Sequence, residues 1–159
     1  MKRIIIVIAP IIAFAVHLLS SSAAAQQPSP ATLKACQLLP KAEVKRLINA
    51  GRLFDSLPVE EEPLGTYGAS CNYPELTLQV LTYSTSRIES ARKQGGVETV
   101  TGVGDEAYFW ANPQGYAELY VKVGRLLLTL QRDVSRGQTA AGVRPGVVAL
   151  ANALVPKLR

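Results

Sequence analysis

Apolar positions in this chain fall into one long run and a series of short periodic segments. The run is Ile4 to Leu19, interrupted only by Pro10 and His17. Between Lys41 and Ala50, Val44, Leu47 and Ile48 stand at i, i+3 and i+4, opposite Lys41, Glu43, Lys45 and Arg46. That spacing predicts an amphipathic helix with Gly51 as its stop. Arg52 to Gly65 is rich in proline and acid, with Glu60-Glu61-Glu62 at its centre, and reads as an exposed loop. From Thr66 the period changes to two. Cys71 and Tyr73 precede Pro74-Glu75, and Leu76, Leu78 and Val80 then alternate with Thr77, Gln79 and Leu81, which predicts a hairpin. Ser86-Arg87-Ile88-Glu89 fits a capping box, so a helix is expected from there to Gln94, stopped by Gly95-Gly96.

Val97 to Thr101 leads into Gly102-Val103-Gly104-Asp105-Glu106, and Ala107 to Ala111 follows as a strand. Asn112-Pro113-Gln114-Gly115 matches a type I turn. Tyr116 to Val123 alternates strictly, with Ala117, Leu119, Val121 and Val123 on one face and Tyr116, Glu118, Tyr120 and Lys122 on the other. Gly124-Arg125 suits a two-residue type II′ turn, and Leu126 to Arg132 returns, giving a three-stranded meander. At the C-terminal end Val147, Ala151, Leu154 and Leu158, with Val148 and Val155 alongside, form a helical stripe. Pro145 is expected to open that helix and Pro156 to distort its last turn. The sum is one α+β domain in the order α-ββ-α-βββ-α: a five-stranded, mainly antiparallel sheet with its helices packed on one face.

The N-terminal run has the form of a cleavable signal peptide. Lys2 and Arg3 supply positive charge, the apolar stretch is shorter than the roughly 20 residues a membrane-spanning helix needs, and Ala23-Ala24-Ala25 offers small residues for cleavage after Ala25. The competing reading, an uncleaved anchor, is weakened by Pro10. A lipidated form is not expected, because the first cysteine is Cys36. The chain thus divides into a signal peptide over 1–25, a flexible leader over 26–35 and a single domain over 36–159. The product is expected to be periplasmic or secreted, with no stable membrane insertion.

Export changes how the two cysteines read. An even count in an oxidising compartment favours a Cys36–Cys71 disulfide over a reactive thiol, which would need a Cys-X-X-Cys spacing or a histidine partner. His17 is the only histidine and leaves with the signal peptide, so Ser-His-Asp and Cys-His catalysis are excluded, as are zinc sites built on histidine or four cysteines. Met1 is the only methionine, which excludes His/Met haem ligation. No cofactor or metal is expected.

Four candidate features remain. Gly102, Gly104 and Asp105 resemble a nucleotide loop only superficially, since a third glycine is missing and a strand follows; they read as a tight turn in which Asp105 bonds nearby amides. The acids Glu60, Glu61, Glu62, Asp105 and Glu106 are the only clusters that offer the residues of a carboxylate-based hydrolase. Tyr108, Trp110, Tyr116 and Tyr120 would share the sheet face left bare by the helices, a candidate recognition surface. Charge is uneven: residues 26–118 carry a net −3 and residues 119–159 a net +6. Arg125, Arg132, Arg136, Arg144, Lys157 and Arg159 would therefore suit an anionic envelope component, while export makes nucleic acid an improbable partner.

Cys36-x-Leu38-Leu39-Pro40-x-x-Glu43-Val44, Cys71-x-Tyr73 and Val100-Thr101-Gly102-Val103-Gly104-Asp105-Glu106-Ala107-Tyr108-Phe109 together resemble the small exported bacterial lipoprotein-like domains grouped as DUF3558. The resemblance implies an envelope-exposed α+β domain in which the first cysteine, near the opening helix, bridges to the second strand. It brings no catalytic residues, and this chain departs from it in having no lipidation cysteine. The resulting expectation is a non-catalytic binding or accessory domain of the cell envelope, of unknown specific function, recognising an envelope protein or another envelope component. The alternatives are a carboxylate-dependent hydrolase and a small-molecule carrier.

Overall fold

The computed structural model describes residues 27–135 and 137–159; the signal peptide expected over 1–25, its cleavage point at Ala25, leader residue Gln26 and Arg136 lie outside them. Seven strands form one antiparallel sheet: β1 Glu60–Pro63, β2 Gly68–Tyr73, β3 Leu76–Thr82, β4 Val97–Val100, β5 Glu106–Asn112, β6 Tyr116–Val123 and β7 Leu126–Asp133. Their spatial order is β1-β2-β3-β7-β6-β5-β4. Among the described residues four α-helices accompany them: α1 Lys41–Ile48, α2 Leu53–Ser56, α3 Ser86–Gln94 and α4 Ala140–Leu158. Among the described residues no helix is long and apolar enough to cross a membrane.

The five-stranded expectation is corrected to seven, and both added strands are edges. β1 lies inside the stretch read as an exposed loop. Three glutamates and a proline have low strand propensity, all four residues are exposed, and proline is tolerated only where no ladder donor is required. β4 is equally short and pairs only with β5. Charged, short edges resist pairing with a second sheet, and for that same reason they carry little periodic signal.

The predicted hairpin and meander are present but joined. After β3 the chain crosses a face of the sheet as α3, reaches the far edge at β4, and returns through β5 and β6 until β7 pairs with β3, Leu78 opposite Leu130 and Val80 opposite Leu128. This crossover corrects the second part of the expectation, that all helices pack on one face. α1 and α4 cover one face; α3 covers part of the other.

The main core lies under α1 and α4. Ala117, Leu119, Val121 and Val123 of β6 and Leu126, Leu128 and Leu130 of β7 meet Val143, Val147, Leu150, Leu154 and Leu158 of α4, all buried. α4 begins at Ala140, five residues before Pro145, because Thr139 caps it: the Thr139 hydroxyl accepts from the Gly142 amide at 3.0 Å. α1 ends at Asn49, whose left-handed φ of 50° supplies the turn expected of Gly51. α3 spans its predicted residues without the predicted capping box; Thr85 is the N-cap with no side-chain bond, and the Ser86 amide donates instead to Ser84 Oγ.

Leader residues from 27 onward lie along the body. Gln27 Nε2 donates to the carbonyls of Val123 and Leu158, and Gln27 Oε1 accepts from the Arg125 amide, tying the leader to the β6–β7 turn and the end of α4.

Candidate functional site

The cysteine pair is where the main face is most heavily tied. Cys36 and Cys71 are disulfide-bonded, with Cα atoms 5.0 Å apart. Glu61, opposite Cys71 in the β1–β2 register, accepts from the amides of Ala35 at 2.6 Å and Cys36 at 3.2 Å. Two residues along β2, the buried Tyr73 hydroxyl donates to the Leu39 carbonyl at 3.3 Å, and its ring stacks on Phe54. The segment Ala35–Leu39 is thus fastened to the sheet at three points, Cys71 and Tyr73 on β2 and Glu61 on β1.

Burial, with the Glu61 charge adding to it, pushes the Tyr73 phenol up to about 12. The fold favours the neutral phenol, so this contribution to stability is complete below the unfolded value near 10 and is lost as pH rises towards 12. Tyr120 is shifted in the same direction, chiefly by burial and then by its bond to Glu118. We expect denaturant titrations of wild type to show stability falling above pH 10, and Tyr73→Phe to fall less steeply over that window. Identical alkaline limbs would contradict the assignment.

The tyrosine-rich face is not bare. Ile88 and Ala91 of α3 pack on Trp110, Tyr120 and Leu127, all buried, with Leu81, Tyr83, Val97 and Tyr108 around them. Trp110 Nε1 donates to the Gly95 carbonyl at 2.9 Å, anchoring the end of α3. Tyr120 bonds Glu118, and Tyr108 bonds Glu106 while Arg92 stacks on its ring. Of the four residues expected to form an open platform, Trp110 and Tyr120 are enclosed and only Tyr108 and Tyr116 remain half-buried. A sequence signal for this was present: Leu126-Leu127-Leu128 does not alternate, as befits a strand covered on both faces.

Gly102 and Gly104 both take positive φ, 77° and 60°. Asp105 Oδ2 accepts from the Gly124 amide at 2.6 Å, its own amide donates to the Lys122 carbonyl, and its other oxygen meets Arg159 at 3.2 Å. The loop is a brace between the β4–β5 connection and the β6–β7 turn. Apart from the exposed Glu60, the other candidate acids are engaged one by one: Glu61 with two amides, Glu62 with Asn72, and Glu106 with Lys122 and Tyr108. The bond from Lys122 is the main cause holding the Glu106 carboxyl below its usual range. Among the described residues no group of three or more His, Cys, Asp or Glu is placed to hold a metal.

The expected basic surface is dispersed. Arg144 pairs with Glu98, Arg159 with Asp105, and Arg132 is no surface group at all, being 2% exposed. Arg132 follows Leu126, Leu128 and Leu130 on the inward side of β7, and that parity was the sequence signal for its burial. Its Nη1 donates to the Ile48 carbonyl, one of the orphan acceptors at the end of α1. Glu75 lies 3.8 Å from Nη2 and also accepts from the Gly51 amide. Arg132 Nε has no partner among the described residues. Desolvation lowers the pKa of this guanidinium, more than the charge of Glu75 raises it.

Arg132 lies in the lining of a cleft of about 570 Å³ between the end of α1 and the start of α4. Leu47, Ile48, Val143 and Pro145 give it apolar walls, and Asn49, Gln138 and Thr139 a polar rim. The volume is within the usual range for small-ligand sites. α4 comes this close to α1 because residue 146 is glycine: a Cβ there would stand 2.9 Å from the Leu47 carbonyl oxygen and 3.0 Å from Ile48 Cα. Compared with protein-family models, with curated proteins and with solved structures, this chain finds no match.

Proposed function

We propose that this chain is an exported, non-catalytic binding or accessory domain of the bacterial cell envelope, and that it engages its partner through the cleft between α1 and α4. The observation that carries this reading is the cleft itself, a concave site with apolar walls, a polar rim and one buried cation in its lining. The disulfide is compatible with export, and the resemblance to exported DUF3558-type domains points the same way. The partner is an envelope protein or another envelope component. The α3-covered tyrosine face is no longer the favoured contact surface, because two of its four aromatic residues are enclosed. A small-molecule carrier is the second reading, favoured by the volume of the cleft.

Photo-crosslinking residues placed at the exposed rim positions Asn49 and Gln138, and at Lys93 on α3 as a control, test the site in the native host. A discrete adduct is expected from the two rim positions and not from Lys93. Absence of rim adducts, or the same pattern at all three, would remove the reading. Intact mass of the envelope fraction tests export: the expected species starts at Gln26 and has no free thiol, whereas a full-length cytoplasmic species with two free thiols would overturn it.

A further inference from the structure

We infer that the cleft between α1 and α4 is a site for a small organic carboxylate, its head group on the Arg132 guanidinium and the first turn of α4, its apolar body along Leu47, Val143 and Pro145. The inference rests on the binding role proposed above and names the chemistry of what is bound.

Two independent features point to an anion. The first is the cation. A guanidinium carries five N–H donors in a planar fork; here one Nη donates to Ile48, the only carboxylate beside it is 3.8 Å away, and Nε is unpartnered although the side chain is 3% exposed. A buried charge so incompletely paired is unfavourable unless something else completes it. The second is α4, a 19-residue helix whose N-terminal residues Thr139, Gly142 and Val143 line the same cleft. The N-terminal end of a helix carries partial positive charge and favours anions. Among the described residues no acid lies in the lining, which is Leu47, Ile48, Val143 and Pro145 with glycines, amides, Thr139 and Arg132. A carboxylate matches the guanidinium fork in shape and charge, and the apolar walls leave room for a hydrocarbon body that inorganic phosphate lacks.

The test measures thermal stabilisation and calorimetric binding of the exported, disulfide-bonded chain with four probes at fixed ionic strength: octanoate, octanamide, inorganic phosphate and a short apolar peptide with a free or amidated C-terminus. Octanoate is expected to bind and stabilise, octanamide and phosphate to do neither. Binding of the free-carboxyl peptide but not its amide would identify a peptide terminus as the source, and binding of octanoate alone a free acid; either supports the site. Gln138→Glu places a negative charge at the exposed rim without touching the core and is expected to weaken octanoate about tenfold. Arg132→Lys keeps a cation for the Ile48 carbonyl but loses the fork, and should abolish binding if it folds. Equal shifts with octanoate and octanamide, no shift with any carboxylate, or no effect of Gln138→Glu would overturn the inference. Rim crosslinks that persist while every carboxylate fails would sink the ligand class and leave the binding role standing.

Discussion

Loss of the Cys36–Cys71 bond, by reduction or by replacing both cysteines with alanine, is expected to lower the unfolding free energy by about 4 kcal/mol. The bridge spans a sequence separation of 35 residues, and closing a loop of that length removes much of the freedom of the unfolded chain. For a domain of this size that is a large fraction of total stability, and a drop in melting temperature on the order of 15 °C should accompany it. The native state retains its other fastenings, since Glu61 still accepts from Ala35 and Cys36, and Tyr73 still reaches Leu39. The effect therefore acts mainly through the unfolded ensemble, and the denaturant m value should rise because the uncrosslinked chain exposes more surface. Denaturant titrations of oxidised and reduced protein measure both quantities. A loss below about 1 kcal/mol with an unchanged m value would show that the fastenings, not the bridge, restrain this segment.

What was legible in the sequence was whatever one periodic stretch fixes by itself. β6 alternates without a fault, and Ala117, Leu119, Val121 and Val123 all enter the main core. α1 lies where its apolar spacing puts it, though it stops at Asn49 and not at Gly51, and α3 runs to its Gly95 stop although the capping box that predicted it does not form. What was not legible depends on the other side of a contact. β1 becomes a strand only because β2 offers it a ladder, which no reading of Glu-Glu-Glu-Pro reveals. The enclosure of Trp110 and Tyr120 depends on α3 crossing the sheet to reach β4, a choice of topology rather than of local pattern. Arg132 looked like surface charge because arginine is seldom fully buried; its parity with Leu126, Leu128 and Leu130 pointed inward but named no partner. Its partners, Ile48 and Glu75, are distant in sequence and meet it only once α1 and the β2–β3 turn are in place.

The glycine loop allows a sharper test, because two glycines two residues apart should behave differently. Gly102 and Gly104 share left-handed backbone, and alanine at either incurs about 1–2 kcal/mol for that conformation. At Gly102 nothing stands within 4 Å of an added Cβ, so the cost ends there. At Gly104 the added carbon would lie 2.4 Å from Val121 Cγ1 and 2.6 Å from the Lys122 carbonyl oxygen. Val121 is fully buried in the main core, and the Lys122 carbonyl already accepts from the Asp105 amide at 2.9 Å. The loop must therefore withdraw from β6, straining or breaking that bond and the Asp105 hold on the Gly124 amide. Overpacking adds about 1–3 kcal/mol and a lost hydrogen bond about 1 more, so Gly104→Ala should cost about 3–6 kcal/mol against about 1–2 for Gly102→Ala. Equilibrium unfolding of the two variants side by side is the measurement. Equal losses would mean that the positive φ alone demands glycine here, and that the Asp105 brace does not depend on close approach of the loop to β6.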